Sequence, residues 1–240
     1  MNRLTLLLLP LLALMGCTAV ADPLEELQRD LERYPEYTVI LNDYRQEGNF
    51  FSTYYQQYKV VIGEGSGDDL TFREEVRDFV PVPQRLYERL EPYLGMAILS
   101  KSADGSVTDT PFPPGYQYVG NPQYGSWVRD NDGNKFWQFA GQYLLLSTIF
   151  NAFDGPRRVY RDDWGGYTTA RRSGAPYFGT GNRYGTSGTL TRQTNPTFFE
   201  RQQARQAASR QSFSNRVGSR IGRSSGSSYR GGSSFSFGGK

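Results

Sequence analysis

Two stretches decide the fold: Tyr37-Thr-Val-Ile-Leu-Asn-Asp-Tyr-Arg-Gln46 and Phe50-Phe-Ser-Thr-Tyr-Tyr-Gln-Gln-Tyr-Lys-Val-Val-Ile62, separated by Glu47-Gly48-Asn49. Both runs are rich in Val, Ile, Tyr, Thr and Phe, and the break between them is turn-forming, so they predict an antiparallel strand pair. Upstream, Asp22-Pro23 precedes Leu24, Leu27 and Leu31. A capping Asp, Pro at the first position and 3-4 apolar spacing predict a helix. Downstream, Leu86, Leu90 and Leu94 share one face of a second helix, begun after Pro83 and disturbed by Pro92. Met96–Lys101 reads as a strand, turned at Ala103-Asp104-Gly105 into a short strand at 106–110.

Further on, 126–130 and 134–139 flank Asn131-Asp132-Gly133, and Asp-Gly between aromatic-rich runs predicts a hairpin. Phe139, Tyr143, Leu146, Phe150 and Phe153 then recur at 4-3-4-3 spacing, a core helix stopped by Asp154-Gly155-Pro156. Together these predict an α+β domain over residues 24–154, a small antiparallel sheet with two or three packed helices.

Charge divides the chain at the same point. Residues 1–154 hold 12 Lys+Arg against 21 Asp+Glu, and residues 155–240 hold 15 against 3. After about Thr180 the composition turns to Gly, Ser, Arg, Gln, Thr and Asn. Such a segment buries too little apolar surface to offset the entropy of ordering it, which predicts a disordered basic Gly/Ser/Arg-rich tail over 196–240, with at most a helical turn near Glu200–Ala208. Residues 155–195 carry Tyr160, Trp164, Tyr167, Tyr177 and Phe178, too many aromatics for a free linker. They read as an extended segment docked on the domain. A loose echo of Gly120–Ser126 in Gly181–Thr186 points the same way.

The first residues form a tripartite export signal: Arg3, an apolar run over Leu4–Met15, then a small-residue cut site. At about twelve residues the run is too short to span a bilayer core. Leu14-Met15-Gly16-Cys17 resembles the lipobox of bacterial lipoproteins, with an aliphatic residue three before the Cys and a small one directly before it. The resemblance covers residues 1–17 and implies cleavage between Gly16 and Cys17, with acylation of Cys17. Residues 17–23 are then a short tether. The resemblance further implies a diacylglyceryl thioether, usually with an added N-acyl chain, and two or more acyl chains hold a protein durably on a bilayer; one Cys in an exported chain has no internal disulfide to make. In similar lipoproteins an Asp after the Cys favours the inner membrane; Thr18 here implies the outer membrane of a double-membraned cell.

The chain has no histidine, which removes Ser-His and Cys-His dyads and the commonest metal ligand. Gly222-Arg-Ser-Ser-Gly226 matches a nucleophile elbow by letter, yet lies in a Ser/Gly tail without a His partner. Asp130-Asn-Asp-Gly-Asn134 has Val128 where a calcium loop needs an acid, so it reads as a turn. No residue pattern calls for a cofactor or a metal.

Aromatic density is the remaining signal. Tyr116, Tyr118, Tyr124, Trp127 and Trp137 crowd around Gly115, Gly120 and Gly125. Two readings stand: large half-buried core residues with polar tips, or a platform on which sugar rings stack.

These features predict a lipid-anchored, non-catalytic envelope protein. Its Arg-rich tail (Arg201, Arg205, Arg210, Arg216, Arg220, Arg223 and Arg230) reaches for lipopolysaccharide, anionic phospholipid or peptidoglycan, since Arg pairs bidentately with phosphate and carboxylate. Nucleic acid is not expected outside the cytoplasm. Two alternatives remain, an accessory subunit of an envelope complex and a carboxylate-dependent glycan-acting enzyme.

Overall fold

The computed structural model describes residues 22–48, 51–151 and 158–224. Helix α1 (Pro23–Leu31) opens as its sequence dictates: the Asp22 side chain accepts from the Leu24 amide at 2.9 Å, and Leu24 and Leu31 are buried. Strands β1 (Glu36–Glu47) and β2 (Thr53–Glu64) form the expected antiparallel pair. β3 (Thr71–Val76) and β4 (Val80–Val82) pair with opposite halves of β2, and β5 (Ala97–Lys101) and β6 (Val107–Thr108) extend the sheet beyond β1. All the pairings are antiparallel. Helix α2 (Gln84–Leu90) ends in a 3-10 turn at Glu91–Tyr93, where Pro92 disturbs it.

The first half of β1 is buried on both faces, from Glu36 to Leu41. Its Ile40 joins a core with Val61, Phe72, Tyr118, Tyr124, Trp137 and Leu146. Between Leu41 and Asp43 the pairing shifts by one residue. A bulge of this kind reverses the in-out alternation, and Tyr44 thereby meets Tyr87 of α2 edge-on at 5.3 Å.

β7 (Gly125–Arg129) and β8 (Lys135–Phe139) make the second sheet, a hairpin turned through Asp130–Asn134. Asp130 accepts from the Asp132 and Asn134 amides at 3.1 and 2.8 Å, so its carboxylate serves the turn. Helix α3 (Leu144–Asn151) is shorter than the aromatic stripe suggests, because Phe139 belongs to β8 and a 3-10 turn intervenes at Gly141–Tyr143.

Two expectations need correction. The first compact unit runs to Thr191 and not to residue 154, and the segment read as extended contains α4 (Arg161–Arg172). Asp162 and Asp163 in its first turn and Arg171 and Arg172 in its last complement the helix dipole. Gly165-Gly166 concealed this helix in the sequence. Gly166 is required because a Cβ there would come within 2.8 Å of the Tyr177 hydroxyl.

The second correction is to the tail. After α5 (Thr189–Thr194), residues Pro196–Ser224 form the 29-residue helix α6. Arg, Gln and Ala are good helix formers, and Pro at the first position is suited to helix initiation. The composition argument held only for burial: every residue from Gln203 to Arg220 is exposed. The signal segment, Cys17, Arg230 and the last sixteen residues lie outside the described ones. Among the described residues, no helix is long and apolar enough to cross a membrane.

Candidate functional site

α6 carries six of the seven sequence-predicted arginines, all but Arg230. At 100° per residue, Arg201, Arg205, Arg216 and Arg220 fall within an arc of about 100°, while Arg210 lies on the other side. Arg223 is in the last turn. Arg201, Arg205, Arg210, Arg216 and Arg220 are exposed, and among the described residues Arg205, Arg210 and Arg220 make no ion pair. Arg216 hydrogen-bonds back to Ser212 along the helix. Beside this basic arc the same periodicity sets Phe199, Phe213 and Val217 in a narrower apolar one. Phe213 is 68% exposed. The sequence named these arginines but not their shared face, because the face exists only once the segment is helical.

The candidate stacking aromatics are elsewhere and have a different role. Tyr116, Tyr118 and Tyr124 are 2, 1 and 1% exposed, and Trp137 is buried as well. Trp127 is half-buried, edge-on to Trp137 and Trp164. A stacking platform needs an open ring face, which the three tyrosines lack, so the structure assigns them to the core. They pack on one another edge to face, Tyr118 against Tyr124 at 5.1 Å and Tyr124 against Tyr143 at 5.1 Å.

The tips of these three buried tyrosines have partners, with the Tyr118 hydroxyl at 3.4 Å from Thr38 Oγ1. Tyr116 donates to the Asp163 carboxylate on α4, and Tyr124 donates to Glu36 at 2.5 Å. Asp163 also accepts from the Tyr177 hydroxyl at 2.5 Å and from the Thr180 hydroxyl and amide at 2.6 and 2.8 Å, with Arg183 at 3.6 Å. Burial pushes the Asp163 carboxyl up, but the hydrogen bonds from Thr180, Tyr116 and Tyr177 outweigh it and hold it below the ordinary aspartate value. This carboxylate ties the loop after α4 to the core. Sequence reading passed over it, since nothing local distinguishes Asp163 from Asp162. Glu36 shows the opposite balance: burial raises it, and the Tyr124 hydrogen bond offsets this only in part.

One concave surface lies near this hub, a cavity of about 320 Å³ walled by Trp137, Phe139 and Phe150 with Arg158 and Arg183 on its polar side. Arg158 lies over the Phe136 ring at 4.3 Å. Apolar walls with a few polar groups are usual for small-molecule sites. No triad-like set of nucleophile, base and orienting group is assembled among the residues that line it.

No protein-family model matches the chain, and no curated protein or solved structure matches it significantly.

Proposed function

We propose that the protein is a lipid-anchored, non-catalytic component of the cell envelope that binds an anionic lipid surface through α6. The observation that carries this reading is an exposed basic arc with exposed Phe213 and Val217 beside it on one long helix. A helix of that kind lies in the headgroup region, its arginines on phosphates and its apolar residues at the acyl boundary. The lipobox-like Leu14–Cys17 supports an anchor outside the cytoplasm, where lipopolysaccharide and anionic phospholipid share the phosphate chemistry that Arg recognises. Peptidoglycan offers carboxylates to the same arginines.

Binding of a form beginning at Thr18, and so without the anchor, to phosphatidylglycerol vesicles should fall by about an order of magnitude between roughly 50 and 200 mM salt, and vesicles of phosphatidylcholine should bind little. Replacing Arg201, Arg205, Arg216 and Arg220 together by Gln should abolish it. Cys17→Ser should block acylation, read by metabolic labelling with a clickable fatty acid. Retention of vesicle binding by the fourfold variant would sink the proposal.

A second reading, docking on one envelope protein, is favoured by exposed Phe213 and Val217. It predicts saturable, salt-tolerant capture of a single partner that Phe213→Ser weakens more than the Arg substitutions do.

A further inference from the structure

β1 starts at Glu36, whose carboxylate is 2% exposed. Its Oε1 accepts the Tyr124 hydrogen bond, whereas Oε2 has no partner among the described residues. Leaving a carboxylate oxygen unpaired in a protein interior is costly, and such a group asks for an explanation. Beside it is a cavity of about 170 Å³ lined by Glu36, Ser102, Asp104, Gln117, Asn121 and Arg171. Of the eleven buried side-chain polar atoms without a partner among the described residues, four belong to residues of this lining: Glu36 Oε2, Ser102 Oγ and both Gln117 amide atoms. The remaining seven are scattered one each over seven other residues, so the unmet hydrogen-bonding capacity is concentrated here.

The composition of the lining restricts what could meet that capacity. Glu36 and Asp104 accept, Arg171 donates, and Ser102, Gln117 and Asn121 can do both. Asp104 accepts from the Ser106 amide at 2.9 Å and feels the Arg171 charge, and among the described residues Arg171 donates to Ser106 Oγ at 3.4 Å and to the Tyr167 hydroxyl at 3.5 Å. Two carboxylates against one guanidinium, with neutral amides and a hydroxyl between them, do not select strongly for a charged ligand. Donors and acceptors interleaved over a small volume match a group that both donates and accepts at neighbouring atoms. Vicinal hydroxyls do this. The space equals that of about five waters, enough for one sugar ring.

We propose that this cavity is a binding site for a single neutral sugar unit, with Glu36 and Gln117 as its hydroxyl-reading residues. The site is separate from α6 and does not depend on the lipid-binding reading. It also differs from a stacking platform, because recognition rests on hydrogen bonds to hydroxyls and not on an open ring face.

The test uses the full-length protein in detergent and a set of methyl glycosides of hexoses and N-acetylhexosamines, read by saturation-transfer NMR and by thermal shift. At least one glycoside should bind saturably at one site. Ser102→Leu, which fills the cavity from its half-buried loop, should weaken that binding about tenfold, and Glu36→Gln should do the same by removing an acceptor. Ser102→Leu keeps Glu36 and its Tyr124 bond, so loss of binding at an unchanged melting temperature separates the site from the fold even if Glu36→Gln proves unstable. The proposal is overturned if no glycoside binds and the cavity holds water only. It is equally overturned if binding ignores both variants, or if methylammonium binds where the glycosides do not.

Discussion

Helix α4 was invisible in the sequence and α6 was foreseen only as a turn near Glu200–Ala208, yet the two are held by different physics. α4 is twelve residues long, interrupted by Gly165-Gly166, and buries Asp163 and Tyr167 in a net of hydrogen bonds and rings. α6 is 29 residues long, made of Arg, Gln, Ala and Ser, and lies exposed from Gln203 to Arg220. α4 exists because its surroundings complete it, since a twelve-residue helix with two internal glycines would not persist alone. α6 owes its form to local propensity and offers its surface to something else. The contrast teaches that helix and burial are separable: one helix is completed by its surroundings, the other by local propensity.

The sharpest way to break the contrast is at Asp163. Asp163→Ala orphans Tyr116 and Tyr177 and releases Thr180 and Arg183, so urea unfolding should show a loss of about 3 kcal/mol. Its pH dependence has a definite sign. A carboxyl held below its unfolded value of about 3.9 contributes fully above that value, and the contribution fades as pH falls through the lower folded one. Glu36, raised by burial, acts oppositely: its ionisation costs stability as pH rises past its unfolded value of about 4.3 toward the higher folded one. Unfolding free energies between pH 3 and 7 should therefore respond in opposite directions to Asp163→Asn and Glu36→Gln. Parallel responses would mean that one of the two carboxyls is wrongly placed in this balance.

A smaller loss is expected at Gly120. Its φ of +86° lies in the left-handed region, and a Cβ there would come within 2.6 Å of the Trp164 ring of α4. Gly120→Ala should cost about 2 kcal/mol by calorimetry, a value combining backbone strain with overpacking. A neutral result would show that Trp164 yields freely and that α4 is less firmly seated than its contacts imply.

The smallest effect belongs to α6. A chain ending at Glu200 retains Phe198, the buried residue of that helix, and of the residues whose burial is described it discards half-buried Gln202 and otherwise exposed ones. Its melting temperature should stay within about 2 °C of the full-length value, because removing exposed residues loses few native contacts. In the form that begins at Thr18, vesicle binding should disappear with the same truncation. A large drop in melting temperature would erase the distinction between the two helices.

The elements written in local chemistry were legible in the sequence. Asp22-Pro23 announces α1, Pro83 and Pro92 bracket α2, Glu47-Gly48-Asn49 divides β1 from β2, and Asp132-Gly133 turns the second hairpin. The charge division and the absence of histidine are equally properties of the sequence alone, as is the lipobox-like Leu14–Cys17. β3 and β4 were not legible, because Glu74-Glu75 and Pro81 look like surface and turn, and only pairing with β2 makes them strands. The reach of the folded unit to Thr191 was not legible either, since it depends on Asp163 meeting Tyr116, Tyr177 and Thr180 from distant or separate segments. The same holds for the Glu36 cavity, whose lining comes from β1, the loop after β5, the 116–121 segment and α4. Turns and caps are settled by neighbours a few residues apart. A buried carboxylate, a cavity and the choice between core tyrosine and binding tyrosine depend on what the rest of the chain brings alongside, and that is decided only in three dimensions.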